Sequence, residues 1–238
     1  MNIAKTTRVF TPLENWQQLP NGEMLLKQTQ QRLDKYLPRC FGYHLLKLGQ
    51  LSCLLDTAHS PIRHQISCAA SGENIGLLAD LHHLPLQDSS VDLCILAHEL
   101  DFSSDPHQLL REIDRVLTLD GTLILSGYNP ISLFGLRSIL KPKHSQWARL
   151  FLPNRVLDWL SLLGFEVKQK QHFDFLSGEL HSFFPLYIES LGQRYAPYFC
   201  SVYFIVAKKQ CTPMTPIKSP FKFKKPIINR QPLVTRNN

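Results

Sequence analysis

Residues Ala79 to Pro130 read ADLHHLPLQDSSVDLCILAHELDFSSDPHQLLREIDRVLTLDGTLILSGYNP. At the centre, VDLCILAH (Val91 to His98) is a continuous apolar run bounded by polar residues. That is the pattern of a strand buried on both faces. Ser104 is placed to cap the helix that follows, with Asp105 and Pro106 in its first turn. Leu109, Leu110, Ile113, Val116 and Leu117 then share one side of a 3.6-residue period. Asp120-Gly121 ends the helix, and TLILSG (Thr122 to Gly127) is the next strand. Strand, helix and strand with short links predict a right-handed parallel βαβ unit.

Upstream, Asn21-Gly22-Glu23 opens a helix to about Tyr36, with Met24, Leu25, Leu33, Tyr36 and Leu37 as its apolar side and Pro38 as its stop. YHLLKLG (Tyr43 to Gly49) is a short strand running into a tight turn. HQISCAA (His64 to Ala70) and IGLLAD (Ile75 to Asp80) are two weaker strands. Downstream, Asn154 is placed to cap a helix carrying Val156, Leu157, Leu160 and Leu163, which Gly164 closes. FEVKQKQHF (Phe165 to Phe173) alternates like a strand, and FCSVYFIVAKK (Phe199 to Lys209) is strongly β-prone. Two such strands at the end of a parallel sheet suit an antiparallel edge.

The chain has 238 residues, 44% of them hydrophobic, enough for one domain with tails. No apolar run approaches the ~20 residues of a membrane helix. The opening MNIAKTTRVFTPLENW has no apolar h-region, so a signal peptide is not expected. The six cysteines form no CxxC pair and no metal-ligand spacing, which fits a reducing, cytoplasmic compartment. Cys94 and Cys200 sit inside apolar runs and read as buried small hydrophobes. His82-His83 has the look of a metal pair, but adjacent side chains diverge and no Cys or carboxylate set joins them, so no metal is expected.

The formal charge of +7 is uneven. Eight of the 26 Lys and Arg residues fall in Lys208–Asn238, which holds no Asp or Glu, leaving 18 against 19 acidic residues elsewhere. That segment has five irregularly spaced prolines and should be extended and disordered. Phe221 and Phe223 alternate with Lys222, Lys224 and Lys225, a composition suited to nucleic acid or an anionic surface. The chain thus divides into an N-terminal extension with a helix (1–40), an α/β domain (41–209) and a basic tail (210–238).

The Ala79–Pro130 block resembles the core of class I S-adenosylmethionine-dependent methyltransferases, and most of all the type 11 group. An Asp ends the third strand before a Leu-Pro pair. A Val-Asp begins the fourth strand, an LREIDRVL helix follows, and a Gly introduces the fifth strand. SGYNPISLFGLR is similar to a bacterial branch of that group. The resemblance extends over about Phe41 to Lys208. It implies a Rossmann-like seven-stranded sheet, mostly parallel with an antiparallel edge strand and helices on both faces. It implies S-adenosyl-L-methionine as cofactor. Asp80 matches the acid that accepts a hydrogen bond from the adenine amino group, and Leu81 would offer its backbone N–H to the ring. Gly49 matches the first glycine of the cofactor loop. His98 lies where the family lines the methionine end and the acceptor mouth, so it is the candidate general base. Open parallel sheets bind ligands beyond the carboxyl ends of their strands, where these four gather.

Three departures stand against that pattern. The family loop reads acid-x-Gly-x-Gly-x-Gly; aligned on Gly49, the acid is Lys47 and the later glycines are Leu51 and Cys53. Glycine allows close backbone approach and positive φ, so a Leu there should crowd the methionine moiety. An ammonium at the acid position opposes a cationic ligand unless it turns away or pairs with the ligand carboxylate. The second strand ends in Cys68, Ala69 and Ala70 where the family has a ribose-binding acid, with Glu73 slightly late. The link from Ala70 to Ile75 is too short for the usual helix, which the Asn21–Tyr36 helix could replace.

Three functions are consistent with these residues. One is methyl transfer to a small-molecule acceptor, where positioning does most of the work and His98 serves a hydroxyl acceptor as base. The aromatic-rich excursion Leu176 to Tyr198 would then cover an apolar pocket or pack the sheet edge. A second is a methyltransferase-like binding or scaffold protein without catalysis. A third is RNA-directed methylation anchored by the tail, though the near-neutral body offers no basic groove. Asn129-Pro130 follows the fifth strand rather than the fourth, so it is not a base-methylating Asn-Pro-Pro-Tyr motif.

Overall fold

The computed structural model describes residues 13–72, 75–132, 135, 148–174 and 197–210. Glu73, most of the Leu176–Tyr198 excursion and the tail from residue 211 lie outside the described residues. Helix α1 spans Gly22–Tyr36, and β1 (His44–Leu48) leads through Gly49 into the four-residue helix α2 (Gln50–Cys53). Then come β2 (His64–Ala69), β3 (Leu77–Leu78), β4 (Val91–Ala97), α3 (Glu99–Phe102), α4 (Pro106–Val116) and β5 (Leu117–Tyr128). Helix α5 (Pro153–Leu162), β6 (Phe165–Phe173) and β7 (Val202–Lys209) complete the order.

The seven strands form one sheet in the order β3-β2-β1-β4-β5-β7-β6. Strands β1 to β5 pair in parallel, and β7 runs antiparallel to both β5 and β6. The expected antiparallel edge is therefore the β7–β6 pair, with β7 the reversed strand. Chain order turns back between β1 and β4, so the switch point lies at their carboxyl ends. Sheets of this kind place their ligand crevice there.

Both faces are covered. Leu109, Leu110, Ile113 and Val116 of α4 and Val156 and Leu160 of α5 pack on Leu46, Leu48, Cys94, Leu96 and Leu123. On the other face Leu25 and Leu33 of α1, with Trp16, pack on Leu45, Leu93, Ile95 and Ile124. Helix α1 thus covers that face over β1, β4 and β5; this cluster holds no residue of β2 or β3, so α1 does not stand in for the helix that the short β2–β3 link lacks. Cys94 and Cys200 are fully buried, as their surroundings predicted. Among the described residues no helix is long and apolar enough to cross a membrane.

Four local expectations change. Asp105, not Ser104, caps α4: its carboxylate accepts from the His107 and Gln108 amides. Pro106, which has no N–H to satisfy, takes the first helical position. The α5 cap is Leu152 rather than Asn154, because Pro153 starts that helix and the Asn154 amide oxygen accepts from Lys170. The strand expected over Ile75–Asp80 shortens to Leu77–Leu78. Leu117 leaves the helix for β5, pairing with Val91, and the register then jumps to Leu93–Thr122. The excess residues bulge out at Asp120, whose φ of 73° is left-handed.

Candidate functional site

Gly49 ends β1 with φ 85° and ψ 152°, a conformation L side chains avoid. Its N–H donates to the Cys68 carbonyl of β2 at 2.8 Å. A Cβ here would meet the Glu99 carboxylate at 2.1 Å. The backbone conformation thus requires glycine, and the flexible end of Glu99 occupies the space a side chain would take.

The side chains that made the loop look hostile are absorbed elsewhere. Lys47 Nζ donates to the Cys53 and Leu55 carbonyls at 3.3 and 3.5 Å, holding the free carbonyls where α2 ends. Leu51 does not crowd the turn as expected; it is buried against the α1 face, and its carbonyl accepts from the Trp16 indole at 3.0 Å. Helix α2 is only one turn long, and that turn aims Leu51 into the core. The Cys53 thiol lies near the Lys47 and Cys68 carbonyls, and burial raises its pKa.

At the end of β4, His98 adopts φ 56° and ψ 5°, and its N–H donates to the Ser126 carbonyl at 3.0 Å. Its Nδ1 stands 3.2 Å from Asp101 Oδ2. The same oxygen accepts the Tyr128 N–H at 2.9 Å. Burial raises the Asp101 pKa, and the His98 partner pulls it back. His98 Nε2 and Asp101 Oδ1 are buried with no hydrogen-bond partner among the described residues. The His98 ring lies between Trp16, edge-on at 5.8 Å, and Tyr128 at 4.5 Å. His98 is therefore not exposed at a mouth, as expected from sequence, but enclosed under Trp16. The left-handed backbone at His98 turns the chain there into α3, and the imidazole goes inward to Asp101.

Glu99, the next residue, carries its carboxylate against Gly49. Burial, helped by the nearby Asp101, pushes its pKa up to about 7. Sequence reading passed over this residue.

At the end of β3, the Asp80 carboxylate accepts from the His82 amide at 2.9 Å, and the His82 and His83 rings approach it at 3.1 and 3.2 Å. These contacts, the His82 amide first, hold its pKa down at about 2. His82 Nε2 faces the Asp105 N–H at 3.3 Å. Nε2 is then the acceptor and Nδ1 carries the proton to Asp80. The imidazole thus clips the β3 turn to the start of α4. Leu81 is nearly buried, in the α4-side core.

Beyond β2, where a ribose acid was missed, Gly72 takes φ 128° and leaves space that the Gln50 side chain fills; a Cβ on Gly72 would meet Gln50 Cδ at 2.3 Å. Gln50 is buried. Gln50 directly follows Gly49, at a position between those that the family loop specifies.

Gly49, Gln50, His98 and Glu99 therefore gather at the switch point between β1 and β4. Asp80 and Leu81 stand at the β3 end, on the outer side of β2. Among the described residues no group of three or more His, Cys, Asp and Glu side chains is arranged to hold a metal ion.

A family model described as "Methyltransferase domain" matches residues 44–125. The "Uncharacterized protein YafS" of Escherichia coli (strain K12) is 38% identical over 218 residues, covering 90% of this chain and 88% of that protein. A solved S-adenosylmethionine-dependent methyltransferase from Archaeoglobus fulgidus superposes with a TM-score of 0.56 at 19% identity, over 77% of this chain and 94% of its own. Geranyl diphosphate C-methyltransferase from Streptomyces coelicolor A3(2), solved with Mg2+, geranyl diphosphate and S-adenosyl-L-homocysteine, does so with 0.52 at 12% identity, over 76% and 77%. At such identities the two structures speak for the fold.

Proposed function

This chain belongs to the class I S-adenosylmethionine-dependent methyltransferases, and from that membership we propose that it methylates a hydroxyl-bearing small molecule with His98 as base. The observation that carries the reading is the His98–Asp101 pair at the switch point, with the far imidazole nitrogen unpartnered among the described residues.

The residues present fit the cofactor. Gly49 keeps the positive φ and the missing Cβ of a loop that a ligand approaches. Lys47 and Leu51, the two objections, are engaged in carbonyl contacts and core packing. Gly49 and Gln50 would hold the amino-acid and ribose end, and Asp80 and Leu81 the adenine. When bound, the cofactor supplies an electrophilic methyl carbon on a sulfonium.

The chain's own groups do the rest. His98 Nε2 takes the acceptor proton, while Asp101 keeps the ring oriented through Nδ1 and stabilises its positive charge. Trp16 shields the pair from water, which strengthens both interactions. His98 has no exposed surface, so reaching Nε2 requires a side chain packed around it to move.

Asp80 favours a second reading, because both its oxygens already have histidine partners. A fold that binds without catalysis would tolerate that. Incubation with methyl-labelled S-adenosylmethionine and fractionated metabolites decides between them. The catalytic reading expects label in a small molecule with wild type and not with His98→Asn. Ligand binding with no labelled product in any fraction supports the second reading.

A further inference from the structure

We propose that Glu99 is the acidic group that receives the ammonium of the cofactor's amino-acid end, replacing from the β4 side the acid that β1 lacks at Lys47. This rests on the cofactor reading above.

Three observations carry it. The Glu99 carboxylate lies against Gly49, close enough that a Cβ there would stand 2.1 Å from it. Gly49 is the loop position that the reading above assigns to the cofactor. The carboxylate has no hydrogen bond or ion pair among the described residues. The Lys47 ammonium instead contacts the Cys53 and Leu55 carbonyls. Its charged neighbour on α3 is another carboxylate, Asp101. A half-buried carboxylate beside a second one, without a cation, is a costly arrangement that a bound ammonium relieves. An alkylammonium fits that need, and the cofactor carries one on the end that passes a glycine loop.

The nearest alternative is that Glu99 merely fills the cavity. The two roles predict opposite signs. A cation-binding carboxylate helps ligands that carry the ammonium; a plug hinders every ligand that enters.

The test is calorimetric titration of the full chain, wild type and Glu99→Gln, with two probes. S-adenosylhomocysteine has the ammonium; 5′-methylthioadenosine keeps the adenosine and thioether and lacks the amino-acid end. Glu99→Gln is expected to weaken S-adenosylhomocysteine about tenfold or more and methylthioadenosine less than about threefold, since a charged hydrogen bond is at stake. Unchanged or tighter S-adenosylhomocysteine binding overturns the proposal and leaves the cofactor reading standing. Wild-type protein that binds neither probe overturns both.

A second arm needs no variant. Wild-type affinity for S-adenosylhomocysteine should rise from pH 6 to pH 8 as Glu99 ionises, while methylthioadenosine stays flat. The titratable groups around Glu99 are Asp101 and His98 beside it in the chain, and Cys53 on α2 with Lys47 behind it. These act on both probes, so a parallel or flat pair of profiles contradicts the assignment.

Discussion

The Asp101 carboxylate meets His98 Nδ1 at 3.2 Å and accepts the Tyr128 N–H at 2.9 Å through the same oxygen. Both side chains are fully buried. One carboxylate therefore joins α3, the end of β4 and the end of β5. Asp101→Ala removes the acceptor of the Tyr128 amide and the partner of the imidazole and should cost about 2–4 kcal/mol by urea unfolding, whereas Asp101→Asn, which keeps an acceptor, should cost less than about 1.5 kcal/mol. Equal losses would mean that the hydrogen bonds do not hold this corner together.

Glu99 should make stability fall as pH rises. Its folded pKa of about 7 lies above the ~4.3 of an unperturbed glutamate. The fold thus favours the protonated form. The cost of ionising it is absent below about pH 4, grows as pH rises, and is complete above about pH 7. Glu99→Gln removes that cost. It should match wild type near pH 4 and exceed it by up to about 3 kcal/mol at pH 8. Thermal or urea unfolding across that range checks it, and a constant difference would contradict it.

The loop side chains are structural. Leu51→Ala should destabilise the fold by about 2–4 kcal/mol as a buried cavity. Lys47→Ala should cost about 1 kcal/mol or less by freeing two carbonyls. Neither should shift S-adenosylhomocysteine affinity more than about threefold, on calorimetry referenced to folded protein. A large gain in affinity for Lys47→Ala would show that its charge does reach the ligand.

The His82 clip should matter for both stability and adenine binding. His82→Ala breaks the ring contacts to Asp80, Ser103 and Asp105 and is expected to cost about 1–2 kcal/mol. Asp80 Oδ1 then keeps the His82 amide and loses only the ring beside it, so binding of an adenosine ligand should hold or improve. Asp80→Ala should weaken that ligand about tenfold. Indifference to Asp80→Ala in a ligand titration would remove Asp80 from the site.

The sheet was readable where burial left one option. VDLCILAH, apolar without a break, could only be a strand covered on both faces, and it is β4. The Leu pattern after it gave α4 and the parallel β4–β5 pair. The caps were less readable, because Ser104 and Asp105 both have capping oxygens and the choice fell to Pro106 at the first helical position. Alignment on Gly49 gave the place of Lys47 and Leu51 but not their direction, which depends on one turn of α2. Glu99 lies against Gly49 directly after His98, whose left-handed backbone a histidine does not advertise in sequence.

Calorimetric titration of the full-length wild-type chain with S-adenosylhomocysteine tests the central claim most directly. The account predicts saturable one-to-one binding that also raises the thermal unfolding midpoint. No heat and no shift at millimolar ligand, with the protein folded, would contradict it.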